Sequence, residues 1–229
     1  MGVNCTYDDV AKMIDHSLLH PTLTDQELAM GCKTALEHNV ASVCIIPHYL
    51  RRCVEVLAES AVAAGTTIGF PHGGQGVAAK VREAEDAIGA GAQELDIVVN
   101  IGKVLGGDWD YVRREIEAVV DASHSRGAIL KVIFENCYLE DFHKIRLCEI
   151  CGDVGADFIK TSTGYGVSGA TMDDLALMCR HAPDGVQVKA AGGIRDLERL
   201  LQVRSMGVAR VGATCTASIL AEFRGRFGD

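Results

Sequence analysis

The chain alternates between two kinds of segment, and this alternation restricts the possible folds more than any other property of the sequence. Short runs rich in apolar and β-branched residues alternate eight times with longer stretches of helical periodicity. The candidate strands are "KMIDHSLL", "ASVCII", "TTIGF", "ELDIVVN", "ILKVIFE", "DFIKTS", "VQVKAAG" and "ARVGAT". Repeated strand and helix units favour a parallel sheet, and eight of them predict a (β/α)8 barrel. We therefore expect one α/β TIM-barrel domain over residues 1–229.

Local signals support this division into units. Thr24 opens a T-x-x-E capping box, and Asp108 precedes an amphipathic segment. The glycines of "AAG", "GAGA" and "DVGA" are interpreted as helix ends that come just before strands. The alternative is a doubly wound open sheet, but the first strand is not followed by a G-x-G-x-x-G turn.

Composition restricts the class of partner. The net charge is -9, with 31 acidic and 22 basic residues and no long run of either sign, which argues against nucleic-acid or anionic-membrane binding. The beginning of the chain, "MGVNCTYDDVAKMIDHS", has neither a basic n-region nor an apolar h-region. We expect a cytoplasmic protein that holds any anionic ligand in a local site.

The cysteines indicate reduced thiols. There are nine, an odd number, and they are scattered through apolar segments. Cys148 and Cys151 form a CxxC in a helical pattern with no second CxxC or histidine pair nearby, so core packing is the preferred interpretation over metal or redox use. The histidines are scattered as well, which disfavours a metal site.

Charged residues occur inside the strand patterns. Three of the eight lysines do so, Lys131, Lys160 and Lys189, together with the acids Asp96 and Glu135. Alternation along "ILKVIFE" predicts that Lys131 and Glu135 point into the lumen together. For any single lysine, a buried ion pair or a snorkelling stem is an equally good explanation. Three lysines with matching acids favour a functional site instead, because buried charge is costly.

Two close lysines suit amine catalysis. A lysine must be neutral to attack a carbonyl, and a neighbouring ammonium together with desolvation lowers its pKa. The resulting iminium withdraws electrons for carbon–carbon cleavage or formation, and Asp96 is the natural proton shuttle. These arguments alone do not decide which of the three lysines is the nucleophile.

The last two units carry a second signal. "KAAGGIRD" places two glycines and an arginine at a strand-to-helix turn, and "RVGATCTAS" places a glycine and hydroxyl groups at the next one. Backbone N–H groups at such turns form an anion site, and barrels often bind phosphate after their seventh and eighth strands. The alternative is that Gly192 and Gly193 only relieve crowding in a tight turn.

Together these segments resemble the deoxyribose-phosphate aldolase family of class I aldolases. The resemblance runs from "MIDHSLLHP" through "VCIIP", "TTIGFPHGG", "ELDIVVNIG", "LKVIFE", "FIKTSTG" and "VKAAGGIR" to "RVGAT". It implies reversible cleavage of 2-deoxy-D-ribose 5-phosphate to D-glyceraldehyde 3-phosphate and acetaldehyde, with no metal or organic cofactor. It also implies a role in deoxyribonucleotide catabolism and a homo-oligomer, either a homodimer or a larger assembly.

The resemblance assigns roles to individual positions. Lys160 matches the Schiff-base lysine, Lys189 the partner that depresses its pKa, Asp96 the carboxylate of a proton relay that works with a water, and Lys131 a further lysine of the lumenal network. The substrate-binding residues it implies, in the sugar pocket and the phosphate turns, are Asp15, Cys44, Thr161, Gly164, Gly192, Gly193, Arg195, Gly212 and Thr214.

Some positions depart from the family pattern. His20 stands where relatives commonly carry Lys, Ile46 where Asn is frequent, and Thr214 with Cys215 replaces a Ser-Ser-Gly sequence. The altered phosphate turn keeps open a related class I aldolase acting on a different phosphorylated or unphosphorylated aldehyde. A non-catalytic sugar-phosphate-binding barrel is the other alternative, and it would not need the lysines and Asp96. His72 either contacts substrate or is a solvated loop residue, and the place of Tyr165 is left open.

Overall fold

The computed structural model describes residues 5–228. Eight parallel strands in these residues close into a barrel in the order β1-β2-β3-β4-β5-β6-β7-β8. The strands are β1 Ile14–Leu18, β2 Ser42–Ile45, β3 Ala63–Ile68, β4 Glu94–Val98, β5 Ile129–Ile133, β6 Phe158–Lys160, β7 Gln187–Ala191 and β8 Arg210–Ala213. The predicted (β/α)8 barrel is therefore confirmed.

Helices cover the outside of the barrel. They are α1 Tyr7–Ala11, α2 Asp25–Glu37, α3 Leu50–Leu57, α4 Val77–Gly89, α5 Ile101–Leu105, α6 Trp109–His124, α7 Asp141–Val154, α8 Met172–His181, α9 Leu197–Ser205 and α10 Thr216–Phe227. Thr24 and Asp108 cap α2 and α6 as predicted, and Thr24 forms the capping box with Glu27. Gly155 ends α7 in a left-handed conformation, with φ 76°.

One predicted helix end is wrong. "AAG" is not a helix terminus, because β3 begins at Ala63 and Gly65 lies inside the strand. A Cβ on Gly65 would lie 3.0 Å from the carbonyl oxygen of Glu94 on the neighbouring strand. Gly65 therefore provides close approach between two strands.

Each strand separates two environments. Residues such as Leu95, Ile97, Leu130 and Val132 point outward and pack in the hydrophobic core between strands and helices. The residues that lie between them in the sequence point inward, into the lumen of the barrel. Register places Asp96 beside Lys131, and Lys160 beside Lys189, so inward-facing charges from separate strands meet in the lumen.

Three further observations concern the CxxC cysteines, the helix lengths and the grouping of possible metal ligands. Cys148 and Cys151 are buried in the core on α7, where burial raises the pKa of both thiols. Within residues 5–228 no helix has the length and apolar character needed to cross a bilayer. The same part of the chain contains no cluster of three or more side chains that could bind a metal ion. Residues 1–4 of the opening stretch considered above lie outside the described residues.

Candidate active site

Seven charged side chains meet inside the barrel. Asp96 lies at their centre: its Oδ2 accepts hydrogen bonds from Lys160 Nζ at 2.6 Å and from Lys189 Nζ at 2.8 Å. Its Oδ1 lies 3.2 Å from Lys131 Nζ. Since Lys160 and Lys189 share one carboxylate oxygen, their nitrogens are close neighbours. All four side chains are almost fully buried.

A second set of charges lies beside this centre. Asp15 Oδ2 lies 2.5 Å from Lys189 Nζ and 3.1 Å from Lys131 Nζ. Its Oδ1 accepts hydrogen bonds from Arg210 at 2.6 Å and from Ser42 at 2.7 Å. Glu94 accepts a hydrogen bond from Lys131 at 2.5 Å. We call these groups the lumenal ion network, and its members are Asp15, Glu94, Asp96, Lys131, Lys160, Lys189 and Arg210.

The network drives its lysines toward different protonation states. Burial would lower the pKa of both Lys131 and Lys189, but the carboxylates of Asp15 and Asp96 raise both above the usual value. At Lys160, burial prevails: with the help of the Lys189 charge, it lowers the pKa despite the opposing effect of Asp96. Lys160 is thus the lysine of the three that most readily becomes a neutral amine.

The carboxylates remain ionised. Burial would raise the pKa of Asp96, but the charges of Lys131, Lys160 and Lys189 lower it well below its usual range. The pKa of Asp15 is lowered in the same way by Lys131, Lys189 and Arg210. The lumen therefore contains fixed negative charge next to a lysine that can lose its proton.

A cavity of about 720 Å³ opens above Lys160 at the carboxyl ends of the strands. This is the end at which barrel enzymes bind their substrates. Of the lumenal ion network, Lys160 alone lines the cavity. Residues 16–20, 163–165, 191–195 and 212–214, with Thr22, Leu23 and Glu27, form the rest of its wall.

The predicted site residues divide into two groups. Gly164, Gly192, Gly193, Arg195, Gly212 and Thr214 line the cavity. Four others, Asp15, Cys44, Lys131 and Thr161, lie outside its wall and are buried. Burial raises the pKa of the Cys44 thiol to about 11, and the Thr161 hydroxyl donates to the backbone of Ala191 on β7. Six of the predicted residues thus form part of the cavity wall, and four are buried outside it.

The segment after Lys160 is held by Glu135. The expectation that Glu135 faces the lumen beside Lys131 is wrong, because β5 ends at Ile133 and Glu135 adopts a left-handed conformation with φ 57°. Its carboxylate accepts hydrogen bonds from Thr163 N at 3.1 Å and from the Thr163 hydroxyl. Glu135 therefore holds the loop that forms one side of the cavity.

Tyr165 spans the mouth of the barrel. Its hydroxyl donates to the backbone oxygen of Leu19 at 2.7 Å, and its ring meets Phe70 edge-on, with centroids 5.6 Å apart. Tyr165 joins the loop after β6 to the segment after β1. His72 is exposed and does not line the cavity, which favours the solvated-loop interpretation.

The turn after β7 shows why glycine is required there. Gly192 and Gly193 have φ values of 79° and 88°. A Cβ on Gly192 would lie 2.8 Å from the Cα of Gly169, whose neighbour Ala170 donates its N–H to Gly192. The crowding that the sequence analysis gave as the alternative is thus present at Gly192, and both glycines also line the cavity.

The turn after β8 leads into α10. Cys215 is the N-cap of this helix and makes no side-chain capping bond, so the N–H groups of the first turn lack an acceptor from the N-cap, next to Thr214 on the cavity wall. Arg195 is exposed on the cavity wall, and the described part of the chain offers it no ion-pair partner. The glycine turn, the start of α10 and Arg195 together form a wall suited to an anion.

Sequence reasoning missed Glu94 and Arg210. Both begin a strand, where a charged residue is easily assigned to the preceding loop. A signal was present: Glu94 is two residues before Asp96 and Arg210 is two residues before Gly212, so alternation places each on the lumenal side.

Known proteins match this chain over nearly all of its length. A family model described as DeoC/LacD family aldolase matches residues 9–225. The deoxyribose-phosphate aldolase of Rhodopirellula baltica is 59% identical over 222 residues, which cover 97% of this chain and 92% of that protein. The deoxyribose-phosphate aldolase of Caldanaerobacter subterraneus subsp. tengcongensis is 44% identical and covers 94% of each. A solved tetrameric deoxyribose phosphate aldolase from Aeropyrum pernix superimposes with a TM-score of 0.89 at 29% identity, covering 96% of this chain and 92% of that one.

Proposed function

This chain belongs to the DeoC/LacD family of aldolases, and from that premise we propose that it reversibly cleaves 2-deoxy-D-ribose 5-phosphate into D-glyceraldehyde 3-phosphate and acetaldehyde. The reaction proceeds through a Schiff base on Lys160. Relatives that carry this activity in their names match 97% and 94% of the chain, which supports the substrate assignment.

The observation that carries the proposal is the position of Lys160. It is the member of the lumenal ion network that lines the cavity, and burial together with Lys189 lowers its pKa. A nucleophilic amine needs access to substrate and a neutral nitrogen. Lys160 combines both, whereas Lys131 and Lys189 are enclosed and keep their protons.

The chemical steps follow from this amine. The lone pair of Lys160 Nζ attacks C1 of the open-chain sugar, the carbonyl oxygen takes up a proton, and loss of water leaves an iminium. The C2–C3 bond then breaks, its electron pair forms an enamine, and the C3 hydroxyl gives up its proton to become the carbonyl of glyceraldehyde 3-phosphate. Protonation of the enamine at C2 and hydrolysis release acetaldehyde and the free amine.

Asp96 and Lys189 support these steps. Asp96 lies 2.6 Å from the reacting nitrogen, and together with a water it relays the protons that Lys160 and the substrate exchange. The charge of Lys189 disfavours a second ammonium beside it and stabilises Asp96 as the carboxylate that relays protons. Lys131 contacts Asp96 and Asp15 and fixes both carboxylates in place.

The phosphate binds at the far wall of the cavity. Backbone N–H groups after β7 and at the start of α10, with the Arg195 guanidinium, supply the donors and the positive charge. Thr214 adds one hydroxyl. Gly164 and Gly212 line the space between this wall and Lys160, and the buried residues Thr161, Cys44 and Asp15 support it from beneath.

A kinetic comparison tests the substrate assignment. A coupled assay should give a kcat/KM for 2-deoxyribose 5-phosphate at least about 100-fold above that for free 2-deoxyribose, since a charged phosphate contact contributes several kcal/mol. The Lys160→Ala protein should be inactive with both. A ratio near one would instead favour the alternative that Thr214 and Cys215 suggest, a related class I aldolase for an unphosphorylated aldehyde.

Three further proposals concern the whole protein. Residues 1–229 form one domain. The pairing of β1 with β8 supports this proposal, and a single cooperative unfolding transition would test it.

The protein is a homodimer, and light scattering tests this proposal. The Aeropyrum relative is tetrameric. It acts in the cytoplasm, where its nine unpaired cysteines stay reduced, and cell fractionation tests this.

A further inference from the structure

Glu94 and Arg210 form the outer layer of the lumenal ion network, on the side away from the cavity. Each begins its strand, so each lies near the amino ends of the strands. Arg210 lies 3.4 Å from Glu94 and donates to Asp15 at 2.6 Å, and Glu94 accepts from Lys131. The Arg210 side chain remains 14% exposed, whereas Glu94 is buried. Neither residue contacts Lys160 directly.

The charges of the network do not balance. Its basic members number four and its carboxylates three, so full protonation leaves one excess positive charge in a buried space. Loss of one proton restores neutrality. Lys160, at the cavity, is the member that can exchange a proton with a ligand. Glu94 and Arg210 each contribute one unit to this net charge, as do the charged groups that touch Lys160.

We propose that Glu94 and Arg210 are positioning residues that set the net charge of the lumenal ion network and thereby the fraction of Lys160 present as the free amine. This inference rests on the proposed function of Lys160. Arg210 engages one oxygen of Asp15 and so limits how much of that carboxylate is available to neutralise Lys189. Glu94 neutralises part of the charge of Lys131. The negative charge of Asp96 is therefore compensated less by Lys131 and stabilises Lys160 and Lys189 more.

Charged and titratable side chains from six other strands surround Lys160 in the lumen. Titratable or charged neighbours on the lumenal side are Asp15 on β1, Cys44 on β2, Glu94 and Asp96 on β4, Lys131 on β5, Lys189 on β7 and Arg210 on β8. Cys44 stays a neutral thiol because burial raises its pKa. The titration of Lys160 therefore responds to the sum of the remaining charges.

The test is the pH dependence of Schiff-base formation. Each protein is mixed with acetaldehyde and cyanoborohydride between pH 5 and pH 9, and the initial rate of mass gain at Lys160 is followed by mass spectrometry. Arg210→Gln removes the excess positive charge, so the acid limb of the rate should move to higher pH by about one unit. Glu94→Gln adds an excess charge, so the limb should move to lower pH by a similar amount.

Paired variants separate charge from structure. Arg210→Lys retains the charge and should leave the midpoint of the limb in place. The double variant Glu94→Gln with Arg210→Gln restores the original charge and should return the midpoint to near its original pH. Arg82→Gln, which removes an exposed cation paired with Asp86, should not move it.

The outcomes are distinct. Opposite shifts in the two single variants, reversed in the double variant, support the inference. Shifts in the same direction, or lower rates with an unmoved midpoint, would overturn it. Should Glu94→Gln fail to fold, the comparison of Arg210→Gln with Arg210→Lys decides, and equal midpoints refute the idea. Absence of any adduct on the unaltered protein would refute the proposed function itself.

Discussion

Lys160 and Lys189 are the same residue type on neighbouring strands, and both touch one oxygen of Asp96. Their pKa values nevertheless shift in opposite directions, because Lys189 has a second carboxylate partner in Asp15 and Lys160 does not. A single additional ion pair thus separates a structural ammonium from a nucleophilic amine.

Removal of the Lys189 charge should therefore inactivate Lys160 by protonating it. In Lys189→Met the remaining three cations match the three carboxylates, so Lys160 holds its proton. We expect kcat/KM at pH 7 to fall about 100-fold, because a rise of about two pKa units reduces the free amine by that factor. The loss should shrink as the pH is raised. Lys33→Met, at an exposed lysine, should behave as the unaltered protein, and a loss independent of pH would contradict this account.

His16 gives the fold a sensitivity to acid. Burial lowers its pKa from 6.5 to about 4, and its Nδ1 lies 2.8 Å from the Thr216 hydroxyl. The unfolded chain therefore binds a proton at a higher pH than the folded one, so stability falls as the pH drops through the interval from 6.5 to 4. The expected loss is about 3 kcal/mol.

Urea unfolding at pH 7 and pH 4.5 measures this effect. His16→Gln keeps a hydrogen-bonding side chain but cannot take up the proton, so its stability should depend less on pH over this interval. An unchanged pH dependence in His16→Gln would show that other groups cause the acid sensitivity.

At the level of elements, the turn after β7 links backbone geometry to ligand binding. Gly193 has φ 88° and a Cβ there would meet no atom within 4 Å. Gly185, in the turn before β7, has the same φ of 88° and equally open surroundings but lies away from the cavity. The two glycines form a matched pair.

Alanine at either glycine should cost about 1–2 kcal/mol of folding stability, the strain of a left-handed conformation. Gly193→Ala should also raise KM for the phosphorylated sugar several-fold, because strain displaces the turn that faces the phosphate. Gly185→Ala should leave KM unchanged. Equal KM values in the two variants would remove this turn from the phosphate site.

The strands and a few helix boundaries were predictable because they depend on local patterns. Alternation located all eight strands, and Thr24 and Asp108 marked helix starts through side chains close in sequence. Glu135 was misassigned because the chain leaves β5 two residues earlier, and positive φ at a non-glycine residue has no sequence signal. The ion pair of Arg210 with Asp15 joins residues 195 positions apart, and only closure of the barrel brings them together.

On the scale of the whole molecule, one ion pair outside the lumen holds two loops against the barrel. Lys80 on α4 is fully buried and donates to Glu115 at 2.8 Å and to the backbone oxygens of Gly73 and Val98. Glu115 in turn accepts from the backbone N–H of Asn100. The pair therefore fixes the loop after β3 and the carboxyl end of β4, the strand that carries Asp96.

Lys80→Met should destabilise the protein by about 3–5 kcal/mol, because Glu115 is left as a buried carboxylate without its cation. The double variant Lys80→Met with Glu115→Met should recover part of this loss, since no lone charge remains. Arg82→Met, at an exposed pair on the same helix, should change stability by less than about 0.5 kcal/mol. Thermal or urea unfolding measures all three. A double variant less stable than Lys80→Met would contradict the role assigned to the pair.

Covalent trapping identifies the amine that forms the Schiff base, which we assign to Lys160. The protein is incubated with acetaldehyde or 2-deoxyribose 5-phosphate, reduced with borohydride, digested and mapped by mass spectrometry. We predict one stable adduct, a two-carbon addition at Lys160 in the case of acetaldehyde, and its loss together with all activity in Lys160→Ala. An adduct at Lys131 or Lys189 with Lys160 unmodified, or a Lys160→Ala protein that keeps its activity, would contradict the assignment.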